Sequence, residues 1–186
     1  MTQRILKNIA IGSTSATGAT TLLHELEKHL SKEGFTCIST GQLMRAKAAY
    51  SDDAHNPLAQ NLSHQTHQEM DDHVRAILAS GKPYVIEGWL AGFVAKDIPH
   101  TLKVLVTLSD PIIKAERFAK REAVSLDEAT SYINDRDSKN ALYWQHMYDT
   151  DAFWDPNLYD IVIDTAHTTP AQEAQRVLDV FHKGVL

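Results

Sequence analysis

Short apolar runs alternate along this chain with longer stretches in which apolar residues recur every three or four positions, and that alternation predicts strands interleaved with helices. The first run extends from Ile5 to Ile11. It gives way to the small residues of Gly12 to Thr20, after which Leu22, Leu23, Leu26 and Leu30 fall at helical spacing. Gly34 stops that helix, and Phe35 to Ser39 reads as a second strand. Gly41 to Ala49 is helical in pattern. The polar break SDDAHNP follows, and Leu58 to Leu78 carries a longer helix marked by Leu62, Met70, Val74 and Ile77. Gly81 and Pro83 end it, and the strand Tyr84 to Ile86 runs directly into Glu87-Gly88.

The second half repeats the alternation. Leu102 to Leu108, LKVLVTL, is the clearest strand, rich in branched residues and bounded by Pro99 and Asp110-Pro111. Pro111 opens a helix that carries Arg117 and Arg121 four residues apart on one face. Ser125 and Glu128 have capping-box spacing for a helix running toward Tyr148, Tyr159 to Ile163 supplies a fifth strand, and Thr169, Pro170 and Gln172 start a last helix. Five short strands separated by helices imply an α/β fold of three layers, a parallel sheet with helices on both faces. No internal repeat or low-complexity tract interrupts it.

Composition narrows this picture. The 186 residues are one domain's worth of chain, and 43% hydrophobic content is enough for a sizeable core. A net charge of -6 gives no basic coat for a nucleic-acid polymer. The single cysteine, Cys37, cannot form an internal disulfide, and its apolar neighbours suggest a buried thiol in a reducing compartment. The first residues lack an apolar region of signal-peptide length, and no run of 18 apolar residues occurs, so a cytoplasmic protein without a membrane partner is expected.

Candidate chemistry gathers where predicted strands end, because ligands of parallel sheets bind at the carboxyl edge. The first such place is the segment Ser13, Thr14, Ser15, Ala16, Thr17, Gly18, Ala19, Thr20, Thr21. A turn of small residues opening a helix presents unpaired N–H groups to a phosphate. A Walker loop anchored on Gly18 would require glycine at Ser13 and lysine at Ala19, and only Gly18 and Thr20 fit it. The alternative reading is a polar turn with Thr17 or Thr20 capping the helix. The other strand ends lead into Thr40-Gly41-Gln42-Leu43-Met44-Arg45, Glu87-Gly88-Trp89-Leu90 and Ser109-Asp110. A phosphate loop, an arginine and a strand-end acid suit phosphoryl transfer, which rests on positioning and on neutralising charge.

CISTGQLMRA resembles the acceptor-holding segment of adenylate and related nucleoside-monophosphate kinases, and EGWLAGF resembles the EGRLAG segment of the archaeal-type cytidylate kinases. AERFAKRE, SLDEAT, NDRDS and YDIVIDT are similar in order and spacing to the lid and last strand of the same group. The resemblance implies a P-loop nucleoside-monophosphate-kinase fold over 1–186. It further implies an acceptor-binding arm near 41–80, a lid near 118–155, and ATP-dependent phosphoryl transfer to CMP or dCMP. It implies ATP held by residues 13–21, with Thr20 facing magnesium. The acceptor would be held by Gly41, Arg45, Asp72 (or its neighbour Asp71), Glu87, Gly88 and Trp89. Arg117, Arg121 and Arg136 would serve the transferring group. The implied partner is a nucleoside monophosphate bound by a monomer or weak dimer.

The chain also departs from that family. Ser13 and Ala16 replace glycines, Ala19 removes a cation, and Trp89 and Leu142 stand where arginines are expected. A catalytically weak or silent nucleotide-binding regulator derived from the kinase fold, and a kinase for another small phosphate acceptor, are the alternatives these departures raise. His64, His67 and His73 share one predicted helix with Glu69, Asp71 and Asp72. Residue 73 falls on a different face from 64 and 67, so a polar helix flanking the acceptor pocket is preferred to a metal site.

Overall fold

A computed structural model describes residues 5–48 and 61–184 of the chain. Five strands, β1 (Asn8–Ser13), β2 (Thr36–Ser39), β3 (Tyr84–Glu87), β4 (Thr101–Thr107) and β5 (Ile161–Asp164), form one sheet in the order β2-β3-β1-β4-β5. Every pairing is parallel, with Ile11 opposite Glu87 on one side and Val104 on the other. The helices are α1 (Ala19–Leu30), α2 (Thr40–Ala48), α3 (His64–Ala79), α4 (Ala91–Val94), α5 (Pro111–Glu122), α6 (Leu126–Tyr148) and α7 (Pro170–Lys183).

The two-residue period of β1 divides its side chains between two cores. Ile9 and Ile11 pack with Leu22, Leu26 and Leu30 of α1 and with Val177, Leu178 and Phe181 of α7. Ala10 faces the opposite way, toward Val74 and Leu78 of α3, Phe93 of α4, Trp144 of α6 and Phe153. A sheet covered on both faces follows directly, as the unbroken apolar runs require. Asn8, buried at the start of β1, ties the strand to α3 and β3: its Nδ2 donates to Leu78 O at 2.9 Å, and its Oδ1 accepts from Tyr84 N at 3.1 Å.

Differences from the expected elements have local causes. The first strand begins at Asn8, not Ile5, whose side chain is 69% exposed outside the sheet. The helix expected from Leu58 has residues 58–60 outside the described residues. Its described part begins at His64, where the Ser63 hydroxyl accepts from Thr66 N at 3.1 Å. Ala49 and the SDDAHNP break also lie outside the described residues. Two capping boxes form as their spacing predicts, Ser125 with Glu128 and Thr169 with Gln172. The hydrogen bonds from Ser125 hold the Glu128 carboxyl below the usual carboxylate range. Helix α4 and the 3-10 turns Ala152–Trp154 and Pro156–Leu158 are too short to show a period. Cys37 is half-buried in β2, and burial pushes its thiol up to about 11. No described helix is long and apolar enough to cross a membrane.

Tyr159 closes the second core. Its hydroxyl donates to Phe153 O at 2.6 Å, and its ring lies where a Cβ on Gly92 or Gly12 would fall. Gly92→Ala is therefore expected to lower unfolding free energy by about 1–3 kcal/mol through overpacking. Tyr159→Phe, which leaves Phe153 O without its buried donor, should cost about 1–3 kcal/mol. Denaturant titration checks both, and a midpoint unchanged in either variant contradicts the packing described.

Candidate functional site

The site begins where β1 stops. Between Ser13 and Ala19 the chain makes a left-handed turn, with Ala16 at φ 56° and Gly18 at φ 94°. Gly18 is the N-cap of α1, and no side chain caps that helix end. The Thr17 hydroxyl instead donates to Thr14 O at 3.3 Å. Neither threonine is the cap that the alternative reading required. The loop thus presents a helix start without a side-chain cap, the kind of terminus that suits an anion. Ala16 takes a conformation that costs an L-residue about 1–2 kcal/mol, and its methyl packs on the cluster of Phe118, Ala129 and Ile133 from α5 and α6.

A cavity of about 530 Å³ opens over this loop. Ser13 through Thr21 line it together with Gly41, Asp71, Glu87, Gly88, Trp89, Arg121 and Arg136. Residues separated by most of the chain share one volume because strand ends of a parallel sheet meet at one edge. Arg45 lies in α2, and its side chain is outside the described residues.

The arginines divide. Arg136 donates to Ser15 Oγ at 3.4 Å and lies 5.2 Å over the Trp89 ring. Arg121 reaches the cavity and pairs with Glu122 at 2.7 Å. Arg117 does not line the cavity: it donates to Thr165 Oγ1 at 3.0 Å and to Thr165 O at 2.7 Å. Thr165 in turn donates to Thr17 O at 2.7 Å, so Arg117 braces the loop from behind. Leu142, where an arginine was expected, is exposed on α6. Trp89 packs edge-on against Trp144 and Trp154, and its carbonyl accepts from Trp154 Nε1 at 3.0 Å.

Of the two carboxylates expected at the acceptor, Asp71 lines the cavity and Asp72 does not. Asp72 has a side chain 76% exposed and pairs with Arg75 at 3.2 Å, away from the cavity. Asp71 is buried on the cavity wall, where it accepts from the Tyr148 hydroxyl. One residue along a helix turns a side chain by about 100°, which separates the two. Burial raises the Asp71 carboxyl above its ordinary range, and Asp72 adds to this; the Tyr148 hydrogen bond, Arg75 and His67 oppose it. His67 is buried against Tyr143 and Trp144, and His64 lies edge-on to Tyr143. Among the described residues no cluster is placed to hold a metal by histidine, cysteine and carboxylate together.

Two residues at the loop escaped the sequence reading. Lys114 donates to Thr14 Oγ1 at 3.3 Å and to Asp137 Oδ2 at 2.9 Å, and Asp137 Oδ1 accepts from Ser15 N at 3.3 Å. The available signal was the spacing of Lys114 and Arg117, which places them on one helical face.

A model of the cytidylate kinase-like family matches residues 24–167, a span that starts just after the loop. The cytidylate kinase of Thermococcus kodakarensis is 31% identical over 166 residues, covering 87% of this chain and 81% of the relative. A crystal structure of a protein from Eubacterium ventriosum ATCC 27560 aligns with TM-score 0.70 at 18% identity, covering 94% of this chain and 98% of the other. Shikimate kinase from Acinetobacter baumannii, solved with shikimate, aligns with TM-score 0.60 at 14% identity over 97% and 96% of the two chains. The fold is that of the P-loop kinases.

The loop geometry separates two substitutions. Ala16→Gly relieves the left-handed strain but removes a packed methyl worth about 0.8 kcal/mol and loosens the unfolded chain, so stability should change by less than about 1 kcal/mol. Gly18→Ala should lose at least about 1 kcal/mol. Thermal unfolding that ranks the pair the other way contradicts the backbone assigned to the loop.

The Asp71 environment sets a pH dependence. Because the folded-state pKa is raised, proton binding favours the fold, and that stability is lost as pH rises through the raised value. The melting temperature of Asp71→Asn relative to the parent chain should therefore climb as pH rises above the ordinary carboxylate range, about pH 4. A flat or falling difference contradicts burial of this carboxyl.

Proposed function

The chain belongs to the cytidylate kinase-like family, and from that premise we propose that it transfers the terminal phosphoryl group of ATP to a nucleoside monophosphate, CMP or dCMP. The observation that carries this reading is the single cavity shared by the phosphate loop and the strand-end groups around Glu87. The loop amides suit a polyphosphate and the strand-end polar groups a second, smaller ligand, as a two-substrate transfer requires. The name of the Thermococcus relative supports cytidine as the acceptor nucleoside.

In this reading the loop amides and the N-terminus of α1 hold the ATP phosphates. Thr20, exposed on the cavity wall, and the Glu87 carboxylate offer oxygen donors that fit magnesium. Magnesium, when bound, would neutralise charge on the outer phosphates. Arg121 and Arg136 carry the rest of that neutralisation, their planar forks matching phosphate oxygens in pairs. Asp71 accepts from the cytosine amino group, and Tyr148 fixes the carboxyl that does so. Gly41 and Gly88 let the acceptor approach backbone, and the family resemblance assigns Arg45 to the acceptor's phosphate. The segment near 41–80 is the acceptor-binding arm, and the segment near 118–155 is a lid whose closure excludes water.

Specific features favour a second reading, a nucleotide-binding protein with little or no turnover. Ala19 carries no charge, and the Arg136 guanidinium rests on Trp89 where the family resemblance calls for an arginine.

A coupled assay across CMP, dCMP, UMP and AMP decides between them. CMP or dCMP should give the highest kcat/KM, and Arg136→Ala should lower it by about 100-fold, the worth of a charge-assisted contact in the transition state. Asp71→Ala should cut the preference for CMP over UMP while Asp72→Ala leaves it intact. Turnover no higher than in the Arg121→Ala and Arg136→Ala variants overturns the kinase reading. Tight mononucleotide binding with that result supports the second.

A further inference from the structure

The residue that should follow Gly18 with a positive charge is Ala19, yet a lysine already stands at the loop from another element. Lys114 projects from the first turn of α5, and its side chain is only 17% exposed. Its ammonium donates to Thr14 Oγ1 at 3.3 Å and to one oxygen of Asp137 at 2.9 Å. The other oxygen of Asp137 accepts from the Ser15 amide at 3.3 Å. A single oxyanion group, here a carboxylate, is therefore gripped by a loop amide and by a lysine together. Those are the donors with which a phosphate loop and its lysine hold a phosphate oxygen.

The lysine is also held in register with the loop. Arg117, three residues along α5, is fastened to Thr165, and Thr165 to Thr17 O. Helix α5 is thus anchored at both ends of the turn, at Thr14 and at Thr17. Thr14, Ser15 and Thr17 line the cavity, and Lys114 and Asp137, which do not line it, reach it through Thr14 Oγ1 and the Ser15 amide.

We propose that Lys114 is the phosphate-binding cation of this loop, supplied from α5 in place of a lysine at position 19. An outer phosphate of ATP displaces the Asp137 carboxylate from the Ser15 amide and takes over the Lys114 ammonium. Asp137 holds the lysine and the amide in place until then. This rests on the reading that ATP binds at the loop.

Calorimetry with the non-hydrolysable analogue AMP-PNP and magnesium tests it. The parent chain should bind, Lys114→Met should weaken binding about 10- to 100-fold, and Lys114→Arg should retain most of it. Asp137→Asn should tighten binding severalfold, because the competing carboxylate charge is gone. The decisive variant is Lys114→Met combined with Ala19→Lys. A lysine at 19 cannot rebuild the contact with Asp137, but it can meet a phosphate, and recovery of at least tenfold is expected. No recovery assigns Lys114 a purely structural role and overturns the proposal, as does unchanged binding in Lys114→Met. Absence of AMP-PNP binding in the parent chain overturns this proposal together with the ATP reading, whereas binding that ignores Lys114 overturns this one alone.

Discussion

The left-handed turn between Ser13 and Ala19 is the constraint around which the other parts of the molecule are arranged. It stands at the carboxyl end of the central strand, and both neighbours of that strand matter to it. The chain leaves β1 for β2 on one side, passes through β3, and crosses to β4 on the other, so the connections diverge at β1. A crevice opens at such a divergence, and the turn forms its floor. The two cores keep β1 rigid beneath it, Ile9 and Ile11 packing one way and Ala10 the other. A turn on so firm a base is ordered before any ligand arrives, which lowers the entropic cost of binding one.

Charge reaches this turn from the second half of the chain. Arg136 touches Ser15, Lys114 touches Thr14, and Arg117 holds Thr165 against Thr17. Ala16 adds an apolar contact to the same helices, resting on Phe118, Ala129 and Ile133. Alanine at 16 therefore gives up the backbone ease a glycine would have for an attachment between the loop and the α5–α6 pair. Position 19 is alanine and a lysine stands at 114 on α5, so the cations at this turn come from the helices that cover it.

The order of elements was legible in the sequence because each leaves a periodic trace. LKVLVTL reads as a strand without reference to anything else, and the capping pairs Ser125–Glu128 and Thr169–Gln172 mark helix starts to the residue. The loop was legible too, through small residues between a strand and a helix. What stayed hidden depends on rotation or on distance along the chain. Asp71 and Asp72 are chemically alike, and only the packing of α3 decides which faces the cavity. Arg117 and Arg121 share a face by spacing, yet Arg117 is spent on Thr165 while Arg121 reaches the cavity. Lys114 and Thr14 are separated by 100 residues, and no local pattern announces such a contact.

The central claim is that the amides of this turn receive a polyphosphate although position 19 carries no lysine. Amide chemical shifts of 15N-labelled protein, followed through a titration with AMP-PNP and magnesium, test it most directly. The account predicts that the largest saturable shifts fall on Ser15, Gly18, Ala19 and Thr20. A titration in which those four amides stay unmoved while shifts appear elsewhere, or nowhere, would contradict it.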